Sequence, residues 1–138
     1  MSLVIDASVA LCWFFADEKN NDSDQILAEV YRSGAIVPAL WPIEVANALT
    51  MGLRRKRLSE EDWFKSISTP AALPVTVEPL DHPAALVALP PLVKRHHLTF
   101  YDALYLELAM RLKFSLASFD KDLLAAARAE NLRIWQGN

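Results

Sequence analysis

The segment that most constrains the fold of this chain is the apolar stretch Leu98–Arg111, with the sequence LTFYDALYLELAMR. Read as a helix, it is apolar over nearly its whole circumference, which is typical of a helix buried inside a domain. Only Glu107 and Arg111 form a polar edge, and their spacing of four residues allows an ion pair. Asp102 lies in the first turn, where burying an unpaired carboxylate is costly. We therefore expect Asp102 either to cap this helix or to face a site that holds a cation.

Length and composition predict a single domain that covers residues 1–138. A chain of 138 residues is long enough for one domain with a proper core and too short for two. Hydrophobic residues make up 53% and charged residues 22% of the chain, which excludes a disordered protein. No apolar run reaches the ~20 residues of a membrane span, and the N-terminus lacks the features of a signal peptide. The single cysteine, Cys12, excludes an internal disulfide, so we expect a buried thiol in a cytoplasmic protein.

Charge and glycine content restrict the possible ligands. The net charge is −3, so no overall positive field draws the chain to nucleic acid, and any such contact must come from local patches. The basic runs Arg54–Arg57 and Lys94–His97 are either such patches or solvated helix ends. The chain has three glycines and no phosphate-cradling loop, which argues against a nucleoside triphosphate site.

Short apolar runs alternate with helical segments along the chain. The predicted strands are Leu3–Ile5, Ala35–Val37, Val75–Val77, Phe114–Ala117 and Leu132–Trp135. The predicted helices are Ala7–Phe15, Asp24–Ser33, Trp41–Arg57, a helix capped by Ser59 that runs through Ile67, Pro83–His97, Leu98–Arg111 and Lys121–Glu130. Pro90-Pro91 predicts a kink or a break into two short helices. This alternation predicts an α/β fold with a parallel sheet and helices on both faces.

Four acidic residues are predicted to meet at one edge of this sheet. In open parallel sheets the binding crevice lies beyond the carboxyl ends of the strands, where Asp6 and Asp120 follow the first and fourth strands. Glu44 and Asp102 lie in the first turns of two helices. Carboxylates gathered at one place raise each other's pKa, and a divalent cation removes that penalty. Mg²⁺ prefers oxygen ligands, and it can activate a water for attack on a phosphodiester.

Each acid also has a purely structural interpretation, because acids favour N-caps and first turns of helices. Asp122 is held in reserve for Asp120, although the first-turn interpretation suits it better. Three polar residues are candidate helpers. Ser8 could help to hold a metal-bound water, Asn47 could bond the carboxylate one turn earlier in its helix, and Ser118 could act near Asp120. These alternatives stay open at the level of the residues.

Four local sequences match one known pattern across nearly the whole chain. They are IDAS at Asp6, IEVANAL around Glu44, LTFYDALYLELA around Asp102, and LASFDKDLL around Asp120, followed by a terminal strand. The combination resembles the PIN domain, and its length and detail resemble the VapC-type toxins of bacterial and archaeal toxin–antitoxin pairs. The resemblance implies a five-stranded parallel sheet of order 3-2-1-4-5. It also implies a Mg²⁺- or Mn²⁺-dependent endoribonuclease.

The same resemblance implies site residues and partners. Asp6, Glu44 and Asp102 correspond to the family's three most regular acids, and Asp120 corresponds to its fourth, whose Thr-x-Asp context here reads SFD. These four residues would be both the metal ligands and the catalytic residues. The implied partners are an RNA substrate, a VapB-like antitoxin that wraps the toxin, and a second copy of the chain in a homodimer. The chain departs from the pattern at Asn131 and Lys113, where the family often has glycine, and at Pro90-Pro91.

Aromatic clusters suggest a surface for a protein partner. Trp13-Phe14-Phe15 and Trp63-Phe64 carry more aromatic area than one small core readily hides, so we expect one of these faces to meet a partner.

This observation also supports an alternative function. The chain could be a catalytically silent, PIN-like binding module whose acids only cap helices.

Overall fold

The computed structural model describes residues 3–137, so residues 1, 2 and 138 of the predicted domain lie outside the described part. The strands in this part are β1 (Leu3–Ile5), β2 (Ala35–Pro38), β3 (Val75–Glu78) and β4 (Ser115–Ala117). They form a parallel sheet in the order β3-β2-β1-β4. All three residues of β1 are buried, as expected for a central strand covered on both faces. The predicted α/β class with a parallel sheet is therefore confirmed.

Helices alternate with the strands and flank the sheet. They are α1 (Ala7–Phe14), α2 (Asn21–Ser33), α3 (Leu40–Arg54), α4 (Glu60–Ser68), α5 (His82–His96), α6 (Phe100–Leu112) and α7 (Lys121–Ala129). Two short 3₁₀ helices, Ala16–Glu18 and Thr69–Ala72, follow α1 and α4. Within residues 3–137, no helix has the length and apolar character needed to cross a bilayer.

The predicted fifth strand, Leu132–Trp135, is wrong. This segment forms only an isolated parallel bridge between Leu116 and Ile134. The backbone N–H of Leu116 donates to the carbonyl of Arg133 (3.0 Å), and the N–H of Trp135 donates to the carbonyl of Leu116 (2.8 Å). Along a strand, the backbone N–H and C=O groups of successive residues point alternately to the neighbouring strand on one side and on the other. Because β4 has three residues, only its middle residue, Leu116, presents these groups at the edge that faces away from β1. The sheet order is therefore 3-2-1-4, with a single bridge beyond β4.

Of the two outcomes expected at Pro90-Pro91, the break into two short helices is wrong, because α5 runs through both prolines as one helix, and the kink stays a prediction. Each proline lacks an N–H and leaves a carbonyl of the preceding turn without its helical partner. Both prolines are exposed, and so are Leu86 and Val87, the residues four positions earlier. Water can therefore take the place of the missing donors along the outer side of the helix.

The central apolar helix is confirmed as α6, which packs against β1, β2, β4, α5 and α7. Its buried residues are Ala103, Tyr105, Leu106, Leu108 and Ala109. The hydroxyl of Thr99 caps the helix by accepting a hydrogen bond from the N–H of Asp102 (3.1 Å). The predicted pair of Glu107 and Arg111 forms at 2.8 Å. Because α6 touches two central strands, its position fixes where Asp102 lies relative to their ends.

The fully buried position of Leu106 predicts a large effect of truncation on stability. We expect Leu106→Ala to lower the free energy of unfolding by roughly 2–5 kcal/mol, because it removes buried methyl groups and leaves a cavity. The control is Tyr31→Ala at an exposed position of α2, for which we expect a change within about 0.5 kcal/mol. Urea unfolding followed by circular dichroism measures both values. Equal losses for the two variants would contradict the central position of α6.

Candidate active site

Asp6 is the most deeply buried acid of the site, with 5% of its surface exposed. It follows β1 and caps α1, where its Oδ1 accepts a hydrogen bond from the backbone N–H of Val9 (3.3 Å). The same oxygen accepts from the hydroxyl of Ser8 (2.6 Å), and Oδ2 accepts from the hydroxyl of Ser118 (2.5 Å). Asp6 therefore caps α1, as its structural interpretation predicts, but a helix cap does not require the two hydrogen bonds from the serines.

Burial raises the pKa of Asp6 to about 6. Loss of solvation is the largest cause, and the negative charge of Asp120 adds to it. The hydrogen bonds from Ser118, Ser8 and Val9 favour the ionised form and offset part of the increase. The carboxyl group can therefore take up and release a proton close to neutral pH, which suits a general base.

The two serines connect the ends of β1 and β4. The hydroxyl of Ser8 accepts a hydrogen bond from the backbone N–H of Phe119 (2.9 Å), and the hydroxyl of Ser118 accepts from the N–H of Asp120 (2.9 Å). Oδ1 of Asp120 then caps α7 by accepting from the N–H of Leu123 (2.9 Å). The serines predicted as helpers thus bind Asp6 directly and hold the backbone of Asp120 beside it.

Glu44 lies near the start of α3 and is held by a tyrosine that the sequence did not single out. The hydroxyl of Tyr105, a buried residue of α6, donates a hydrogen bond to Oε1 of Glu44 (2.5 Å). Desolvation raises the pKa of Glu44, and the charge of Asp102 raises it further. The hydrogen bond to the Glu44 carboxylate that was expected from Asn47 is thus made by Tyr105, and Asn47 is exposed. No local signal could reveal this contact, because the partners are 61 positions apart in the sequence.

Asp102 completes a chain of interacting carboxylates. Its pKa is raised by burial first, then by the negative charge of Asp120, with a smaller contribution from Asp122. Asp120 acts on Asp6 as well, and Asp102 acts on Glu44. Each of the four predicted acids is therefore close enough to at least one of the others to feel its charge. Asp122 is exposed in the first turn of α7, in agreement with its structural interpretation.

The donor atoms at this site suit a hard divalent cation, since they are carboxylate and hydroxyl oxygens. As the side chains stand, however, no three Asp, Glu, His or Cys groups among residues 3–137 are arranged to hold a metal ion together. Both oxygens of Asp6, Oε1 of Glu44 and Oδ1 of Asp120 accept hydrogen bonds from donors within the protein. Mg²⁺ commonly binds through one or two carboxylates and keeps several waters, and the residues fit that mode. Direct ligation by all four acids stays a prediction.

Each basic run has side chains that are paired with acids outside the candidate site. Ten residues of α3 separate Glu44 from Arg54, which corresponds to about 15 Å along the helix axis. Arg57 forms ion pairs with Asp17 (3.0 Å) and Glu18 (2.8 Å), so it is not free to bind phosphate. In the second run, Arg95 and His96 both bind Glu130.

The aromatic clusters are mostly packed within the protein. Phe15 is buried beneath the guanidinium of Arg57, which lies 4.1 Å from the centre of the ring. The indole of Trp13 donates to the carbonyl of Ser23 (2.8 Å). Phe64 of α4 is the exception, with 72% of its surface exposed. An open groove of about 560 Å³ lies between these clusters, and its lining includes Phe14, Phe15, Arg57, Leu58 and Lys65. The expected aromatic face is therefore reduced to one exposed ring beside a groove.

Two solved structures resemble this fold. The crystal structure of PAE2754 from Pyrobaculum aerophilum matches with a TM-score of 0.67 and 22% identity, over 91% of this chain and 79% of that one. The crystal structure of Mycobacterium tuberculosis VapC20, described as a sarcin–ricin loop cleaving toxin, matches with a TM-score of 0.66 and 17% identity, over 90% of this chain and 94% of that one. No curated protein gives a significant match to the sequence. The model of the PIN domain family matches residues 3–129, which is most of the chain. The chain therefore belongs to the PIN domain family.

Proposed function

We propose that this PIN domain is a divalent-metal-dependent endoribonuclease that acts as the toxin of a toxin–antitoxin pair. PIN domains are generally nucleases, and the structural likeness to a VapC toxin agrees with that role. The observation that carries the proposal is the series of acids Asp6, Asp120, Asp102 and Glu44, in which each carboxylate feels the charge of the next and the first two follow β1 and β4. Like charges that are buried together need compensation, and oxygen ligands select Mg²⁺ or Mn²⁺ to supply it.

In the proposed reaction, Asp6 and Asp102 hold the metal, and Glu44 and Asp120 complete its surroundings. A bound Mg²⁺ or Mn²⁺ would supply positive charge for the phosphodiester and would lower the pKa of a water. Ser8 and Ser118 fix the orientation of the Asp6 carboxylate. As the oxygen of the water attacks phosphorus and a P–O bond of the RNA breaks, a carboxylate of this cluster would accept the proton that the water loses, and the leaving oxygen would take up a proton from solvent.

The partners belong to the same proposal. The substrate is RNA, and a VapB-like antitoxin would neutralise the enzyme by wrapping it. The groove lined by Phe14, Leu58 and Lys65, with Phe64 exposed on the adjoining helix, is the surface we assign to an antitoxin segment.

A homodimer would cover the exposed Leu86 and Val87 of α5. The single buried cysteine is compatible with the cytoplasmic location that this role requires.

Substitution of two acids tests the proposal directly. We expect Asp6→Asn and Asp102→Asn each to reduce Mg²⁺-dependent RNA cleavage by at least about a hundredfold, because each removes a charge that holds the metal or the proton. The matched control is Asp62→Asn, an exposed acid in the first turn of α4, which should cleave RNA like the wild type. Cleavage of labelled RNA by the purified proteins provides the measurement. Full activity in both site variants would exclude this mechanism.

The raised pKa of Asp6 predicts a dependence of stability on pH in the absence of metal. The folded pKa of about 6 lies above the ordinary value of 3.8, so the folded protein binds the proton more tightly than the unfolded chain. Ionisation of Asp6 should therefore lower the free energy of unfolding as the pH rises from about 4 through 6, by up to about 3 kcal/mol. Urea unfolding in chelator at several pH values, compared with Asp6→Asn, isolates this contribution. Parallel pH profiles for the two proteins would show that Asp6 does not titrate in this way.

Repulsion at Asp102 predicts that Asp102→Asn changes the melting temperature of the metal-free protein and its response to metal in different ways. In chelator, Asp102→Asn should melt at a higher temperature than the wild type, because it relieves repulsion by Asp120 and Asp122. Added Mn²⁺ should raise the melting temperature of the wild type in a saturable way and that of the variant much less. A lower melting temperature of the variant in chelator would indicate that Asp102 is structural. The silent binding module, in turn, requires that the wild type shows no saturable response to Mn²⁺.

A further inference from the structure

A large apolar side chain is exposed immediately before each of three candidate carboxylates. Ile43 precedes Glu44, Tyr101 precedes Asp102, and Phe119 precedes Asp120. Their exposed fractions are 66% for Ile43, 61% for Tyr101 and 37% for Phe119. Scattered exposed apolar residues are normal on a protein surface, but here each one is the chain neighbour of an acid of the same candidate site. Two of the three are aromatic, and Phe100 beside Tyr101 is exposed as well.

Both aromatic residues are mounted on rigid parts of the fold. The backbone N–H of Phe119 donates to the hydroxyl of Ser8 (2.9 Å), and Phe119 lies between two residues that belong to the Asp6 network. Tyr101 lies in the first turn of α6, the buried helix that Thr99 caps. Rings held by a fixed backbone can bind a flat ligand at a low cost in conformational entropy.

The chemistry of the site indicates what these rings would bind. A bound cation would offset the charge of the carboxylates only at the phosphodiester that is cleaved, and the net charge of −3 gives no general attraction for the rest of the RNA. Lys121, exposed beside Asp120, supplies one nearby cation, whereas Arg57 and Arg95 of the two basic runs are held in ion pairs. Affinity for RNA must therefore come largely from groups other than phosphate. Stacking of nucleobases on aromatic side chains provides it, independently of the base sequence.

We propose that Tyr101 and Phe119 form a stacking subsite for unpaired nucleobases beside the phosphodiester that is cleaved. Bases within a duplex are stacked on one another and cannot occupy the rings, so the subsite selects single-stranded or looped segments of RNA. The subsite rests on the proposed nuclease function, because it gives the substrate class of the same centre. A protein partner on the same rings is the competing interpretation, and RNA affinity distinguishes the two.

The test measures binding without cleavage. The full chain carries Asp6→Asn so that bound RNA stays intact, and Mg²⁺ is present throughout. The probes are a fluorescein-labelled single-stranded RNA of mixed sequence, its duplex, and an oligonucleotide of the same length that lacks bases. Fluorescence anisotropy gives the dissociation constant for each. Tyr101→Ala and Phe119→Ala are compared with Tyr101→Phe, which keeps the ring, and with Phe64→Ala, which removes an exposed ring from α4.

We expect the chain that carries only Asp6→Asn, the background of this test, to bind the single-stranded RNA more tightly than both the duplex and the baseless oligonucleotide. Tyr101→Ala and Phe119→Ala should each weaken binding of the single-stranded RNA roughly tenfold and leave the baseless probe unaffected. Tyr101→Phe and Phe64→Ala should bind like the background. Unchanged RNA affinity in the two alanine variants, or equal affinity for the RNA and the baseless probe, would overturn the subsite and leave the rings to a protein contact.

Cleavage by the chain with Asp6 intact separates the two proposals. If it cleaves RNA while the alanine variants bind normally, the stacking subsite is wrong and the nuclease function stands. If it cleaves no RNA but the alanine variants lose base-dependent binding, the nuclease function is wrong and the base-binding site stands. Tyr101→Ala removes a mostly exposed side chain and should melt like the chain that carries only Asp6→Asn, whereas Phe119→Ala also removes covered ring surface, so thermal unfolding confirms that this variant is folded at the assay temperature.

Discussion

The site is organised by one buried carboxylate and the hydrogen bonds that fix it. Ser8 and Ser118 reach Asp6 from α1 and from the end of β4, and the same hydroxyls accept the backbone N–H groups that follow β4. These bonds bring Asp120 close to Asp6 in spite of their mutual repulsion. The folded chain therefore stabilises an arrangement that its own charges oppose, which is typical of a site whose function needs concentrated negative charge.

The parallel sheet explains why distant residues meet there. Asp6 and Asp120 follow adjacent strands, β1 and β4, whose carboxyl ends lie at the same edge. Asp102 is placed by α6, which packs on the central strands, and Glu44 is placed by the hydrogen bond from Tyr105. Tyr105 thus has two roles, because its ring belongs to the core and its hydroxyl fixes an acid of the site.

The sequence predicts those features that depend on local pattern. The apolar circumference of Leu98–Arg111 correctly predicts the buried helix, and Asn131, at a position where the family often has glycine, has a left-handed backbone with a φ of 57°. Lys113, at another frequent glycine position of the family, is also left-handed. Prediction from the sequence fails for features that depend on contacts between residues that are distant in the chain. Leu132–Trp135 has the composition of a strand, but the short β4 offers it only one pairing residue, and the partner of Tyr105 lies far along the chain.

The central claim is that the carboxylates of this site tolerate one another fully only when a divalent cation compensates their charge. Titration of the Asp6 carboxyl carbon by NMR in the full-length chain, with and without saturating Mg²⁺, tests this claim most directly. Without Mg²⁺ the pKa should lie at about 6, and with Mg²⁺ it should fall well below that value, because a nearby cation favours the ionised form. The same pKa in both titrations would contradict the account.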